Sequence, residues 1–197
     1  MRLGKILSTE FFQRDAITVA KELLGKLLVK KDNLSTIGGM IVETEAYLGK
    51  HDPASIAYIH RRRRLGEDLS GKAGTIFIYM VHGNWLFNIL VDKEDIPAAV
   101  LVRAIEPIYG IDIMIKNRKV KKKYDLTNGP GKLTKAMGID KRYHRYNVTD
   151  PRSPISIYEY KRISEKHIIK RNRIGVTEDL KIPLRFYIKE NKWVSKK

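Results

Sequence analysis

The sequence contains no cysteine. That absence excludes a disulfide framework, a cysteine-ligated zinc or iron–sulfur centre, and thiol catalysis. A long hydrophobic run is also missing. The longest apolar stretch, Ile96 to Val102, is far short of the ~20 residues that a membrane-spanning helix needs. The amino terminus, Met1-Arg2-Leu3-Gly4-Lys5-Ile6-Leu7, turns polar before the apolar core of a secretory signal develops. The five histidines show no metal-ligand spacing, and no Asp/Glu cluster suggests a hard cation. A glycine-rich phosphate loop with its Lys-Ser/Thr ending is absent, which disfavours nucleotide hydrolysis. These absences give the expectation of a soluble intracellular protein with no metal and no cofactor.

Negative charge is in short supply: 22 Asp and Glu stand against 39 Lys and Arg, a formal charge of +17. Part of the excess is clustered, in Arg61-Arg62-Arg63-Arg64 and in Lys116, Arg118, Lys119, Lys121, Lys122 and Lys123. Such clustering favours a polyanion, because each neutralised phosphate releases condensed counterions. The bland alternative is a solvated basic surface. Neither run lies on an amphipathic helix with an apolar anchoring face, so a membrane surface is disfavoured. With 43% apolar residues among 197, the chain has enough to bury a sizeable core, and wholesale disorder is excluded. No repeat, linker or low-complexity tract divides it, so residues 1–197 read as one domain.

Apolar residues Ala16, Val19, Ala20, Leu23 and Leu24 recur at helical spacing before Gly25, which predicts a helix over 15–24. Strands are predicted at 27–29 and 37–47, followed by a long loop over 50–74. The clearest strand, Thr75 to Val81, turns at His82-Gly83-Asn84 into Trp85-Leu86-Phe87-Asn88-Ile89-Leu90-Val91, a hairpin with an aromatic-rich tip region. Further strands are predicted at 98–105, 155–160 and 184–188, a helix at 109–119, and a short helix after the turn Asn128-Gly129-Pro130-Gly131. The fold class is α+β, with a sheet as scaffold.

Three features could carry chemistry. In Val42-Glu43-Thr44-Glu45-Ala46-Tyr47 the period-2 rule places Glu43, Glu45 and Tyr47 on one face. On a concave face that is a candidate general base beside an aromatic surface; on a solvated face it is unremarkable. Tyr79, His82, Trp85 and Phe87 surround the hairpin; Phe77 and Phe87 read as core, His82 as an exposed turn residue. A ribbon with such a tip can act as a minor-groove wedge. Arg103 interrupts the apolar run Val100-Leu101-Val102-Arg103-Ala104-Ile105, so it sits either in solvent or against a buried carboxylate. Pairing with Glu45 would keep that carboxylate ionised and lower its pKa.

Six ordered blocks carry a family resemblance. They are Val42–Gly49, Phe77–Gly83, Leu101–Pro107, Asn128–Leu133, Arg173–Val176 and Pro183–Tyr187. Together they resemble the mammalian-type alkyladenine (3-methyladenine) DNA glycosylases, colinearly from about Phe11 to Ser195. The resemblance implies a single mixed domain around a curved, open-barrel-like antiparallel sheet flanked by helices, with a protruding hairpin. It implies a monofunctional glycosylase of base-excision repair, which hydrolyses the N-glycosidic bond of alkylated purines and leaves an abasic site. The expected partner is damaged double-stranded DNA, the expected state a monomer, and in a prokaryote the expected place the nucleoid.

Carried over residue by residue, Glu45 is the implied general base, with Arg103 and the Ile174 carbonyl helping to hold its water. Tyr47 and Tyr79 would sandwich the flipped base, His82 would intercalate, and Asn88 would exclude guanine. Arg61, Arg62, Arg63 and Arg64 would meet the DNA backbone. Two departures stand out. Ile56 occupies the position, nine residues after Tyr47, where the family commonly has a base-bonding His, which predicts weaker excision of neutral lesions such as hypoxanthine. The segment 85–88 is one residue shorter than usual. The reading from a different class is a non-catalytic nucleic-acid-binding module of the same fold.

Overall fold

The structure is a computed structural model that describes residues 3–32, 35–59, 71–93 and 96–196. Two short helices open it, α1 (Thr9–Phe12) and α2 (Ala16–Glu22). The start of α2 is fixed by Asp15, whose carboxylate accepts the Thr18 N–H at 2.9 Å and so satisfies an orphan donor of the first turn. Asp15 is therefore a cap, and the helix is shorter than its apolar periodicity suggested. Ala16, Val19 and Ala20 are buried, as the helical spacing requires.

The remaining elements, in chain order, are β1 (Leu27–Lys31), β2 (Thr36–Tyr47), α3 (Ile56–Ile59), β3 (Ile76–Val81), β4 (Asn84–Val91), β5 (Ala98–Tyr109), α4 (Ile111–Arg118), α5 (Pro130–Met137), β6 (Ile155–Tyr158), β7 (Ile168–Arg171) and β8 (Arg185–Ile188). The strands form one antiparallel sheet in the order β3-β4-β5-β2-β1-β6, with β8 joined to β2 and β7 to β8. The sheet curls into a half-barrel, so the α+β expectation holds. Strand β7 was not anticipated. Its sequence, Ile-Ile-Lys-Arg, is too short and half charged to signal a strand, and its pairing with β8 supplies what local propensity lacks.

Strand β2 is the spine. It pairs with β5 along one edge, and with β1 and then β8 along the other. All but its two terminal residues are buried, which explains a nearly continuous buried run where alternation would mark a half-exposed strand. Phe12, Leu23, Ile41, Ile76, Phe87, Ile105 and Phe186 are fully buried around it. The Thr44 hydroxyl donates to the Ala20 carbonyl at 2.7 Å and ties α2 to the spine.

Two local features set the geometry of the concave side. The β2–β5 register slips between Ile41 and Glu43 and again between Glu43 and Thr44, leaving Val42 unmatched on β2 and Arg103 unmatched on β5. Bulges of this kind re-aim side chains. Here the displaced residue is the one cation of an apolar strand. The second feature is the β3–β4 hairpin. His82 and Gly83 form a two-residue turn with φ of 47° and 74°. Positive φ at both positions matches the twist of the flanking strands. Asn84, expected in the turn, already belongs to β4.

Helix α5 braces this hairpin. Pro130 occupies its first turn. A side chain at Gly131 would come within 2.7 Å of Asn84, so glycine permits the close approach of helix and ribbon. The Thr134 hydroxyl then donates to the Trp85 carbonyl at 2.8 Å. At the other end, the buried Lys30 ammonium donates to the Gly138 carbonyl at 3.1 Å, placing a cation at the negative end of the helix.

Candidate active site

A cavity of about 1180 Å³ opens between the hairpin, the segment around α3, the start of α5 and the loop after Arg173. Six residues singled out in the sequence line it: Tyr47, Ile56, Tyr79, His82, Arg103 and Ile174. A second cavity, of about 820 Å³, lies between α2 and residues 159–165 and holds none of them.

Glu45 lies directly behind this lining, 0% exposed. Three donors hold its carboxylate. The Tyr47 hydroxyl and Arg103 Nη1 both donate to Oε2, at 2.9 and 3.1 Å. The Ile174 N–H donates to Oε1 at 2.8 Å. All three donor residues line the cavity, so the carboxylate is oriented by its walls. Burial pushes the Glu45 pKa up, and that effect outweighs the opposing pull of Arg103, the Ile174 N–H and the Tyr47 hydroxyl; Glu43 adds a smaller upward push. The ion pair with Arg103 is thus present as expected, while the net shift is upward because desolvation wins.

The same burial keeps the tyrosines neutral. The Tyr79 phenol is pushed up to about 12, first by burial and then by the Glu45 charge. Tyr47 is raised well above its ordinary value, again by burial first and then by Glu45. Tyr47 therefore remains a hydrogen-bond donor throughout the physiological range. The Arg173 guanidinium covers one face of its ring, 4.6 Å from the centroid. Tyr79 packs beside Phe77 with centroids 5.5 Å apart.

The other expected residues are distributed differently. His82 is exposed at the hairpin tip, beside the cavity mouth. Asn88 is buried within the hairpin, where its amide donates to the carbonyls of Phe77 and Leu86 at 3.2 and 3.4 Å; it is not among the lining residues. Ile174 meets Glu45 through its N–H, where the resemblance had assigned a role to its carbonyl. Arg61, Arg62, Arg63 and Arg64 lie outside the described residues. Among the described residues no group of three or more His, Asp or Glu is arranged to hold a metal, and no helix is long and apolar enough to cross a membrane.

Two buried polar clusters escaped the sequence reading. Arg173 forks onto both Asp52 oxygens at 2.6 and 2.7 Å and onto Asp179 Oδ1 at 2.6 Å, and it donates to the Ala46 carbonyl at 3.0 Å. Asp52 also accepts the N–H groups of Leu48 and Ala54. This clamp fixes the residue just before Ile174, and with it the donor on Glu45. Glu43 is likewise 0% exposed and faces Arg103 and Arg185. No spacing rule connects positions 52, 173 and 179; only the place of Arg173 in a resembling block could have drawn attention there.

Comparison with known proteins agrees with this geometry. Residues 10–192 match the methylpurine-DNA glycosylase family. A protein of Clostridium perfringens, named as a 3-methyladenine DNA glycosylase, is 42% identical, with 100% of each chain covered. Similarly named proteins of Natranaerobius thermophilus and Oceanobacillus iheyensis are 41% and 40% identical over 96% of this chain, covering 98% and 96% of their own lengths. With the match running through every element that builds the cavity, the chain belongs to the methylpurine-DNA glycosylase family.

Proposed function

We propose that Glu45 is the general base of a DNA repair glycosylase that releases alkylated purines from duplex DNA and leaves an abasic site. One observation carries the reading: a buried carboxylate held by three donors from the walls of a cavity large enough for a purine nucleoside. An ionised carboxylate offers about four acceptor positions. Two are used on Oε2 and one on Oε1, which leaves one on Oε1, beside Ile174, for a water. Glu45 takes a proton from that water as its oxygen attacks C1′ of the sugar. The C1′–N bond breaks, and its electron pair neutralises the cationic alkylated base. The leaving group then needs no proton, so aiming and deprotonating water supplies the required catalysis, on the order of 10²–10⁴-fold. No lysine is assigned a nucleophilic role, and the enzyme is monofunctional.

The target must first leave the stack, at a cost of a few kcal/mol that damage reduces. Tyr47 and Tyr79 receive the base, and a cationic purine gains attraction from their electron-rich faces. His82, presented by the two-residue turn, fills the vacated stack. Ile56 packs against the cluster of Phe77, Leu90 and Ala99 and offers the base no donor, which favours cationic lesions over neutral ones. Asn88 acts from behind the wall, by fixing the hairpin backbone. The arginine run and Lys132, at the cavity rim beside the start of α5, meet phosphates. The enzyme acts as a monomer inside the cell, on nucleoid DNA where the host is prokaryotic.

The test is Glu45→Gln, assayed for bases freed from methylated duplex and for binding to the same duplex. Loss of release with retained binding supports the assignment. Unchanged release would remove Glu45 from the chemistry, and a wild-type protein that binds but frees no base would favour a binding module.

A further inference from the structure

Arg103 stands between two buried carboxylates. Its Nη1 donates to Glu45 at 3.1 Å, while its Nε lies 3.4 Å from Glu43 Oε1 without forming a hydrogen bond. Glu43 is supplied from elsewhere. Arg185 Nη1, on β8, donates to its Oε1 at 2.9 Å. The Ser195 hydroxyl donates to the same oxygen at 2.9 Å, and the Ser195 N–H to Oε2 at 2.7 Å. Arg185 also donates to the Lys196 carbonyl at 2.7 Å, so the carboxy-terminal segment is clasped at two points. Two carboxylates and two guanidiniums thus balance among buried side chains, where an uncompensated charge is costly.

The proposed reaction uses Glu45 and leaves Glu43 idle. Yet an unsatisfied Glu43 would compete for the guanidinium that orients Glu45. We propose that Glu43 is a positioning residue that couples the carboxy-terminal segment to the base: Ser195 and Arg185 saturate Glu43, and Arg103 is thereby left to Glu45. This rests on the assignment of Glu45 as the base. It explains why a glutamate two residues from the base is sealed from solvent, and why the tail folds back to reach it.

The groups facing the pair come from every packed element. Glu45 sees Arg103 from β5, Tyr79 from β3, Tyr47 and Glu43 from its own strand, and the Ile174 N–H. Glu43 sees Arg103, Arg185 and Ser195. Two substitutions at Glu43 and its partner therefore act in opposite directions. Ser195→Ala removes a donor from Glu43, which then draws Arg103 away from Glu45 and raises the Glu45 pKa. Glu43→Gln removes the negative charge that competes for Arg103 and pushes Glu45 upward, so the Glu45 pKa falls.

The experiment is the pH dependence of single-turnover base release from alkylated duplex by the full chain. The acid limb should move up by about half a pH unit in Ser195→Ala and down in Glu43→Gln, and Ser195→Thr, which restores the hydroxyl, should return it to the wild-type position. Thermal stability is measured alongside. A lower melting temperature with an unmoved acid limb, or shifts of the same sign in both variants, would overturn the coupling. Should Glu43→Gln fail to fold, the Ser195→Ala and Ser195→Thr pair decides by itself. Glu45→Gln, run in parallel, separates this outcome from failure of the base assignment, because it tests the base without touching Glu43.

Discussion

On the proposed assignment, the carboxylate that must be ionised to work is buried where ionisation is disfavoured, and the balance at Glu45 then sets both activity and stability. Its ordinary value of 4.5 is raised, chiefly by burial. The acid limb of base release should therefore fall above pH 4.5, and Tyr47→Phe should push it higher. That substitution removes a donor to the charged form while keeping the ring, so lesion binding should change little. The stability consequence has the opposite sense from a salt-bridged surface acid. A carboxyl whose folded pKa is raised contributes fully below its unfolded value, and that contribution is lost as pH rises through the folded value. Glu45→Gln should accordingly gain in melting temperature relative to wild type as pH climbs from about 4 to about 7. A difference that shrinks over that range would contradict the upward shift. At Ile56 the argument is one of hydrogen bonding. Ile56→His offers the base a polar partner and should raise hypoxanthine release relative to 7-methylguanine release; no gain would count against the specificity reading.

The elements around the cavity are held by a few polar clamps. Arg173 and Asp52 are both fully buried at their side chains, and Asp52 accepts two backbone N–H groups besides. Asp52→Ala leaves a buried cation short of one partner, a change that costs about 3–5 kcal/mol. For a domain of this size the melting temperature should drop by roughly 10 °C. Base release should fall more than binding, since Ile174 loses its anchor. The hairpin makes a contrasting prediction. His82 adopts a positive φ that a non-glycine residue resists. His82→Gly relieves that strain while adding chain entropy, so stability should stay within about 1 kcal/mol of wild type. Affinity for lesion duplex should fall if His82 is the proposed wedge. Gel-shift titration and thermal melting on the same preparation check both halves.

Across the whole molecule, the charge of +17 makes binding to any duplex a matter of counterion release. The logarithm of affinity should fall linearly with the logarithm of salt, and Lys132→Ala should reduce the magnitude of that slope by about one. Release measured under single-turnover saturation should be insensitive to the same salt change. A slope unaffected by Lys132→Ala would place that ammonium away from the phosphates. Lys132 also donates to Asn128 at 2.8 Å and pairs with Asp125 at 3.4 Å, so thermal melting of the same variant separates loss of charge at the rim from loss of these ties before α5.

Composition and local pattern were enough for the net positive charge, the α+β class, the hairpin and the buried helix face of α2, and they left pairing with Glu45 as one of two places for Arg103. Those come from periodicity, turn chemistry and the cost of burying a lone charge, all of which act over a few residues or on single side chains. The family membership was legible for the same reason, since its blocks are contiguous. Three things waited for the tertiary structure. The bulge that leaves Arg103 unmatched arises from a register between β2 and β5, with Glu45 and Arg103 58 residues apart in the chain. The clamp of Asp52, Arg173 and Asp179 closes across 121 residues. The tie from Ser195 to Glu43 spans 152. Apart from Arg103, Glu43 and Glu45, the charged groups they join resemble any solvated residue in sequence. What sets them apart is desolvation, and desolvation exists only once the sheet has curled and distant segments have closed over it.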